Sequence, residues 1–463
     1  MAADGSADDG PGAEGAARAG RELGVRDEPG VGYEPWDGGE PRDGSAGGRR
    51  VHGRGGAEAG RTVHAGRWTL EHRFDSPWHY LPVEVGPGAA GLRVELEYEQ
   101  GAGTVLDLGC LSPGGFRGWS GGARSWFAIT GEAATPGYLP GEIEAGLWQV
   151  MIGVHSVPPD GVPYRVTAQA TGRGSGLLPP VSPAQPVPRE RPPRRELPAG
   201  PGRRWLAGDL HAHTVHSDGV LTVPELAAFA VDRGLDFIAV TDHNTNSHHA
   251  ELADVGRRYG ITLLPGQEVT TDGGHAGALG DVGWIDFRRE PDDWLDATQA
   301  RGGLLSVNHP FAGPVSWTYP MRRRPPLAEV WHWSWLDKRW TLPFAWWLAW
   351  DAAVIPVGGS DWHRPGSDAP PGCPTTWVEC AGSEPGEVLD GLRAGRVAIS
   401  AERDGPVLLR HDGELVAVQA DGTILAGPHG PRARVRGDLA RLPGAPGAHR
   451  LLDTSGAALA LTP

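Results

Sequence analysis

Five short segments between residues 209 and 363 place histidine, aspartate or glutamate directly after an apolar run. They are Asp209-Leu-His211-Ala-His213, Thr241-Asp242-His243-Asn244, Gln267-Glu268, Val307-Asn308-His309-Pro310 and Ser360-Asp361-Trp362-His363. Side chains two residues apart on a strand share a face, so the His-x-His and Asp-x-His segments each offer two ligands to one side. Imidazole and carboxylate together suit zinc, iron or manganese. The repetition therefore predicts a metal centre.

The elements around these segments predict how they come together. Apolar runs at 237–240, 261–264, 303–307 and 354–357 alternate with helical segments. One helix has a marked start, because Thr222 and Glu225 have capping-box spacing and Pro224 fits the first turn. This alternation predicts a β/α barrel or a doubly wound sheet. In a β/α barrel the carboxyl ends of the strands share one face, where the loops build the site.

Composition divides the rest of the chain. Residues 1–62 carry almost no branched apolar residues, which predicts a disordered tail. Residues 63–172 alternate apolar and polar residues between Gly and Pro turns, which predicts a β-sandwich domain. The Pro-rich residues 173–203 are predicted to be a linker. Residues 204–400 form the α/β region, and 401–463 return to short β runs that predict a β-rich appendage.

Charge and cysteine content narrow the function classes. The net charge of −15 argues against a protein that coats nucleic acid or an anionic membrane. Three cysteines without metal-knuckle spacing favour a reducing compartment, and the N-terminus shows no secretory signal, so cytoplasm is the expected location. The apolar stretch 341–359 contains Pro343 and Asp351 and is predicted to be buried core, not a membrane span.

Taken together, the motifs resemble the polymerase-and-histidinol-phosphatase (PHP) superfamily of metallohydrolases over roughly residues 204–400. The matching segments, in the order of that family, are Gly-Asp-Leu-His211-Ala-His213-Thr-Val-His-Ser217-Asp218-Gly219, Val-Thr-Asp-His243-Asn, Gly-Gln-Glu268-Val-Thr, Val-Asn-His309-Pro and Gly-Gly-Ser-Asp361-Trp-His363. A leading β-sandwich, His275 in a Gly-rich context and Val-Ala-Ile-Ser400-Ala resemble more narrowly the branch that contains carbaryl hydrolases (CehA/McbA).

The resemblance implies a fold and a set of ligands. The fold would be a distorted (β/α)7 barrel that binds two to three divalent ions of zinc, manganese or iron. The implied ligands are His211, His213, Glu268 and Asp361 for a first ion, Glu268 with His275 and His309 for a second, and Asp218, His243 and His363 for a third. Glu268, Asp361 and His363 are the predicted catalytic residues. Two ions sharing Glu268 would activate a water as the nucleophile, and the third would stabilise developing charge.

Three functions remain open from the sequence. The first is hydrolysis of a phosphoester, in a small phosphorylated metabolite, a nucleotide or an oligonucleotide end. The second is hydrolysis of a carbamate or carboxylic ester, which the Trp-rich segment 331–350 would allow as a substrate wall. The third is a non-catalytic binding scaffold. A small molecule is the expected partner, and the oligomeric state is not predicted.

Several polar residues near the motifs have two interpretations. Asp242 is expected to orient a ligand imidazole, with direct ligation as the alternative. The residues Arg322–Arg324 and Arg364 are candidate phosphate contacts, although the arginine run also suits a solvated loop. Three further histidines are expected to be solvated, and these are His216, His248 and His249.

Overall fold

The computed structural model describes residues 60–101, 103–172, 176–179, 190–332, 341–366 and 369–463. Within these ranges the chain is a mixed α/β structure with many strands and few helices. The predicted disordered tail lies outside the described residues up to position 59, and the first strand begins at Arg61.

The first part of the chain forms two four-stranded antiparallel sheets, which we call the N-terminal unit. Its elements are β1 (Arg61–Trp68), α1 (Leu70–Asp75), β2 (Trp78–Val85), β3 (Gly91–Tyr98), β4 (Val105–Ser112), β5 (Gly115–Gly121), β6 (Trp126–Thr130), β7 (Gly146–Ser156) and β8 (Val162–Thr171). The sheet orders are β1-β8-β3-β6 and β2-β7-β4-β5. Buried residues of both sheets, among them Val83, Val94, Leu108 and Val150, belong to one hydrophobic core. The domain boundaries at 63 and 172 stay predictions.

The central part, which we call the central unit, alternates strands with helices. Its elements are β9 (Arg204–Asp209), α2 (Val223–Asp232), β10 (Phe237–Val240), α3 (His249–Tyr259), β11 (Thr262–Thr271), β12 (Gly274–Leu279), α4 (Pro291–Ala300), β13 (Leu304–Val307), a 3-10 turn (Gly313–Val315), β14 (Leu327–His332), α5 (Thr341–Asp351), β15 (Ile355–Gly359), β16 (Thr375–Cys380), α6 (Pro385–Arg393) and β17 (Val397–Ser400). Helix α2 starts as predicted, because Thr222 and Glu225 form the capping box.

Strand order brings the ligand-bearing ends together. The sheet runs β15-β14-β13-β12-β11-β10-β9-β16-β17, with β12 antiparallel to both neighbours. Beyond the ends of β9 and β15, His213 N–H donates to the Trp362 carbonyl and Asp361 N–H donates to the His211 carbonyl, each at 2.9 Å. Strands β9 and β15 lie at opposite ends of the run of strands from β9 to β15, and the segments that follow them therefore meet beside the site. The closed seven-stranded barrel stays a prediction.

Four of the last seven strands continue the central sheet. They are β18 (Val407–His411), β19 (Glu414–Val418), β20 (Ile424–Gly427), β21 (Gly430–Arg434), β22 (Leu439–Pro443), β23 (His449–Leu452) and β24 (Ala458–Thr462). Strand β24 pairs with β17, while β18, β19 and β22 form a separate sheet. The domain boundary at 400 stays a prediction.

Part of the predicted linker is fixed to the central unit. Arg191 donates to the Leu235 carbonyl at 2.6 Å, and Arg194 donates to the Asp236 carboxylate at 2.7 Å. Residues 190–203 are thus held by hydrogen bonds along the surface of the central unit.

Helix α5 occupies most of the apolar stretch that the sequence analysis assigned to the core. Its Phe344 and Trp347 are buried in one cluster with Val330 and Trp331 of β14, although Leu342 is exposed. Among the described residues, no helix has both the length and the apolar character needed to span a bilayer.

Candidate metal centre

Glu268, on strand β11, is fully buried at the centre of the site. Five imidazole nitrogens lie within 3.6 Å of its carboxylate oxygens: His211 Nε2 at 3.1 Å, His309 Nε2 at 3.1 Å, His275 Nδ1 at 3.3 Å, His243 Nδ1 at 2.9 Å and His213 Nε2 at 3.6 Å. Burial alone would raise the pKa of Glu268, but the facing imidazoles hold it well below its usual value. The side chain is therefore an anion with several neighbours that can share a cation.

A first set of ligand atoms, the inner group, consists of His211, His213, Glu268 and Asp361. Its four ligand atoms lie within 4.8 Å of one another. Asp361 Oδ1 is 2.9 Å from His213 Nε2 and 3.1 Å from His211 Nε2. Asp361 has a φ of 51°, a left-handed conformation that is uncommon for residues other than glycine. Its backbone bond to the His211 carbonyl stabilises this conformation and directs the carboxylate to the two imidazoles.

A second set, the outer group, consists of His213, Asp218, His243 and His363. Asp218 Oδ1 lies 3.5 Å from His243 Nε2 and 3.4 Å from His363 Nε2. The His213 ring stacks on the rings of His243 and His363, with centroid separations of 4.2 Å on each side. Burial, together with the two neighbouring imidazoles, lowers the pKa of His213 to about 4. His213 is therefore neutral at pH 7, which is the form that binds a metal.

A third set, the hairpin group, consists of His243, Glu268 and His275. Strands β11 and β12 form an antiparallel hairpin in which Thr270 pairs with His275. This register directs His275 back toward Glu268. Burial lowers the pKa of His275. The structure thus brings all nine predicted ligands into three adjoining groups, with His309 reaching the hairpin group through its contact with Glu268.

Several buried polar atoms in these groups make no well-formed hydrogen bond. They include His211 Nε2, Glu268 Oε2 and His275 Nδ1. A buried polar atom without a partner costs about 1–3 kcal/mol, so such a concentration would be unfavourable in a site that binds nothing. Divalent cations would satisfy lone pairs of this kind, and the mixture of imidazole and carboxylate is the donor set that they prefer. The residues present fit divalent metal binding.

Asp242 supports the site in a way that the sequence analysis did not predict. Its carboxylate accepts hydrogen bonds from the Thr214 N–H at 2.8 Å, the Thr214 hydroxyl at 2.7 Å and the Ser217 hydroxyl at 2.7 Å. It therefore holds the loop that leads to Asp218, instead of orienting a ligand imidazole.

The expectation of solvated flanking histidines is wrong for His248. This side chain is fully buried, with Nε2 3.0 Å from the carbonyls of both Val240 and Gly266 and Nδ1 3.2 Å from Asp242. The turn that follows β10 folds back under the site and carries His248 inward. His216 is half-buried and lies 2.7 Å from the Ser247 hydroxyl.

Two residues that contact the candidate site were missed by sequence reasoning, and both are on β14. Glu329 Oε1 accepts from His211 Nδ1 at 2.9 Å, and its Oε2 accepts from the His309 N–H at 2.8 Å. His332 Nε2 lies 3.3 Å from Asp361 Oδ2. The signal was present, because β14 ends at His332 and most of the predicted ligands on the other strands come just after the strand ends. The sequence analysis instead treated His332 as part of the Trp-rich segment 331–350.

Two residues of the arginine run form ion pairs with carboxylates of helix α4. Arg322 lies 3.1 Å from Asp292, and Arg323 lies 2.5 Å from Asp296. These pairs favour the solvated-loop interpretation over a phosphate contact. Arg364 lies on an exposed turn just after the last ligand segment. Part of the Trp-rich segment, residues 333–340, lies outside the described residues.

Comparison with known proteins finds similarity in the segment that contains most of these ligands. Residues 209–305 match the PHP domain family. An uncharacterised protein of Methanocaldococcus jannaschii is 25% identical over 118 residues, which are 23% of this chain and 69% of the relative. The 5'-3' exoribonuclease of Escherichia coli is 40% identical over 65 residues, and the 3',5'-nucleoside bisphosphate phosphatase of Chromobacterium violaceum is 41% identical over 66 residues. Each of these two alignments covers 14% of this chain, and they cover 22% and 23% of the relatives.

A solved structure of a two-domain protein from Bacteroides vulgatus, described as containing a predicted PHP-like metal-dependent phosphoesterase, is 16% identical. It covers 60% of this chain and 91% of the other with a TM-score of 0.40, which is too low to establish a common fold. The family match falls on the segment that holds Glu268. Residues 209–305 therefore match a PHP domain, and with the relatives named as an exoribonuclease and a phosphatase this match supports an enzyme with PHP-type metal-dependent hydrolase activity.

Proposed function

We propose that the protein is a metal-dependent phosphoesterase that hydrolyses a small phosphorylated metabolite, a nucleotide or an oligonucleotide end. The observation that carries the proposal is the position of Glu268, a buried carboxylate that is shared by two ligand groups and surrounded by five imidazoles. The curated relatives named as an exoribonuclease and a nucleoside bisphosphate phosphatase support a phosphoester substrate.

The three ligand groups support the following assignment. The inner group, His211, His213, Glu268 and Asp361, would hold one ion, Glu268 with His275 and His309 a second, and Asp218 with His243 and His363 a third. When bound, such ions activate water as a nucleophile near neutral pH and neutralise charge on the reacting phosphoryl group. The identity of the metal as zinc, manganese or iron, and the count of two or three, stay predictions.

The protein groups around the ligands would fix the protonation of the imidazoles. His211 Nδ1 donates to Glu329, which leaves the Nε2 lone pair directed at Glu268 and Asp361. His363 Nδ1 lies 2.7 Å from the Asp361 carbonyl, which leaves Nε2 facing Asp218. A carboxylate or carbonyl on the far ring nitrogen sets the tautomer and makes the near nitrogen a better ligand. Asp361 would thus act twice, through its side chain in the inner group and through its backbone on His363.

Hydrolysis of a carbamate or carboxylic ester would use the same ligands. That alternative rests on the narrower resemblance to carbaryl hydrolases, and none of the named relatives supports it. The assignment to that branch, the cytoplasmic location and the small-molecule partner all stay predictions.

A substrate panel tests the proposal. The full-length protein is assayed with manganese or zinc on p-nitrophenyl phosphate, bis-p-nitrophenyl phosphate, a nucleoside 3',5'-bisphosphate and 1-naphthyl N-methylcarbamate. We expect turnover of at least one phosphoester, loss of that turnover in Glu268→Gln, and full turnover in Asp254→Asn, a matched change in an exposed ion pair with Arg257. Carbamate turnover without phosphoester turnover would select the alternative.

Metal dependence gives a second test. A chelator should abolish turnover, and added metal should restore it. Imidazole must be neutral to bind a metal, so metal affinity and activity should fall together as the pH is lowered and the ligand histidines take up protons. Turnover that persists in metal-free protein would contradict the proposal.

A further inference from the structure

The N-terminal unit packs directly against the hairpin that carries Glu268 and His275. Trp119 and Met151 of the N-terminal unit belong to the same buried cluster as Val269 and Ala276 of the hairpin. At the edge of this cluster, Phe116 of the N-terminal unit stacks on Trp284 of the central unit, with ring centroids 4.0 Å apart. The two units therefore share a hydrophobic core beside the metal centre.

A polar contact fixes the tip of the same hairpin. Asp272 lies in the turn between β11 and β12, and its Oδ2 accepts a hydrogen bond from Arg73 Nη2 at 3.0 Å. Its Oδ1 lies 3.2 Å from His155 Nδ1. Arg73 belongs to α1 and His155 to β7, so both partners come from the N-terminal unit. Burial alone would raise the pKa of Asp272, but the bond to His155 and the nearby Arg73 lower it. We call this contact the hairpin clamp.

A second polar contact holds the loop that leads to Asp218. Arg124, between β5 and β6, donates through Nη1 to the Ser217 carbonyl at 3.0 Å and through Nη2 to the Val215 carbonyl. The Arg124 side chain is half-buried and adds a cation close to Asp218. We call this contact the loop clamp.

The N-terminal unit also reaches the turn that follows His243. The Gly137 N–H donates to the Ser247 hydroxyl at 3.1 Å, and the Gly137 carbonyl accepts from the Thr245 hydroxyl at 2.9 Å. A Cβ at position 137 would lie 2.9 Å from the His216 carbonyl, so only glycine allows this approach. Two of the outer-group ligands, Asp218 and His243, thus adjoin segments that the N-terminal unit holds.

We infer that the N-terminal unit sets the metal affinity of the centre through two separable contacts, with Asp272 positioning the hairpin ligands and Arg124 positioning Asp218. Both are positioning residues, because neither touches the ligand groups directly. The inference rests on the proposed metal binding. Residues that orient metal ligands from behind typically contribute 10- to 100-fold in metal affinity, so we expect a loss of about 10-fold or more from each clamp.

The test measures Mn²⁺ affinity and stoichiometry of the full-length protein by calorimetric titration and elemental analysis. Asp272→Asn keeps the volume of the side chain and removes its charge, and Arg124→Lys keeps the charge and loses one of the two carbonyl contacts. Arg124→Lys should weaken the outer ion alone, whereas Asp272→Asn should weaken the ions that use the hairpin ligands Glu268 and His275 and leave the outer ion at wild-type affinity. Asp254→Asn, in the exposed pair with Arg257, is the matched control and should bind as the wild type does.

Repeating the two clamp substitutions in a His363→Ala protein shows which ion each clamp affects. In His363→Ala, which already lacks an outer-group ligand, Arg124→Lys should cause little further loss, whereas Asp272→Asn should keep its full effect. General destabilisation of the fold would weaken all of the ions in every background and would not produce this pattern. Losses that are equal for all ions, or wild-type affinity in both clamp variants, would overturn the inference.

Hydrogen exchange of the metal-free protein separates this inference from the proposed function. The backbone amides of residues 271–274 should exchange faster in Asp272→Asn than in the wild type, while the amides of β8 should not change. If Asp272→Asn does not fold, Arg73→Lys weakens the same clamp and replaces it in every measurement. Wild-type protein that binds no Mn²⁺ would overturn the proposed function, whereas wild-type binding with unchanged hairpin exchange would overturn the clamp alone.

Discussion

Replacing Glu268 by glutamine should remove more bound metal than any change confined to the outer group. Glu268 faces five imidazoles and also accepts a hydrogen bond from Asn308 Nδ2 at 3.0 Å on Oε1. The glutamine carbonyl must keep that bond, so its NH₂ group would occupy the place of Oε2, beside His243 Nδ1. Removing one charge from a buried, paired set costs about 3–5 kcal/mol. Since about 1.4 kcal/mol is a factor of ten, metal affinity should fall by roughly two to three and a half orders of magnitude.

Metal counting on purified variants measures this effect. Glu268→Gln should lose the ions of both the inner group and the hairpin group, whereas His363→Ala should lose only the outer ion, because His363 belongs to the outer group alone. Asp254→Asn is the control for purification and should match the wild type. Equal losses in the two site variants, or wild-type protein that is fully active while free of metal, would refute the shared role of Glu268.

Three further changes test the surroundings of the site. Gly208→Ala should destabilise the fold by about 1–3 kcal/mol in denaturant titrations, because a Cβ there would lie within 2.3 Å of three atoms of the buried Phe237 ring, and an unchanged midpoint would contradict this. Asp107→Asn should stabilise the metal-free protein by about 3 kcal/mol at pH 7 and about half of that at pH 5. Burial raises the pKa of Asp107 from 3.8 to about 6, so the folded state loses stability as pH rises through this window, and an effect independent of pH would refute the reasoning. Asp242→Asn should weaken the outer ion by about 10-fold with little effect on the inner group, since Asp242 holds the loop to Asp218 through Thr214, and uniform loss would argue against it.

Local sequence signals were sufficient for the elements that carry the ligands. Helix α2 begins at the predicted capping box, and strand β10 has the predicted bounds Phe237–Val240. The ligand segments converge as expected, because strands placed side by side in one sheet bring their ends together whatever their separation along the chain. The predicted ligand types could therefore be grouped in space without knowledge of any long-range contact.

Strand β12 shows where local signals fail. The segment Gly274–Leu279 consists mostly of small residues, and the sequence analysis noted only a Gly-rich context around His275 and predicted no strand there. Its strand structure comes from pairing with β11 on one side and β13 on the other. Pairing of this kind depends on neighbours and is only weakly encoded by intrinsic propensity. The same dependence applies to Glu329, whose role is defined only by the two site residues that it contacts.

The contacts between the two units could not be predicted for a related reason. Arg73 and Asp272 are 199 positions apart, and Arg124 and Ser217 are 93 positions apart, so no periodicity within a segment relates them. Each is also an ordinary residue for a surface turn. Their importance follows from location, since one contact holds the β11–β12 turn and the other holds the loop that leads to Asp218.

The similarity to the PHP domain covers only part of the site that the structure assembles. Residues 209–305 include Glu268 and the ligands before it, but they stop short of His309, Asp361 and His363. These three are brought in after strands β13 and β15, and two of them have left-handed backbone conformations that direct their side chains inward. Strained residues of this kind persist when the surrounding structure determines them, as Glu329 does for His309 and the His211 carbonyl does for Asp361. The recognisable motif therefore provides the central carboxylate, and the segments after residue 305 bring three further predicted ligands to the same site.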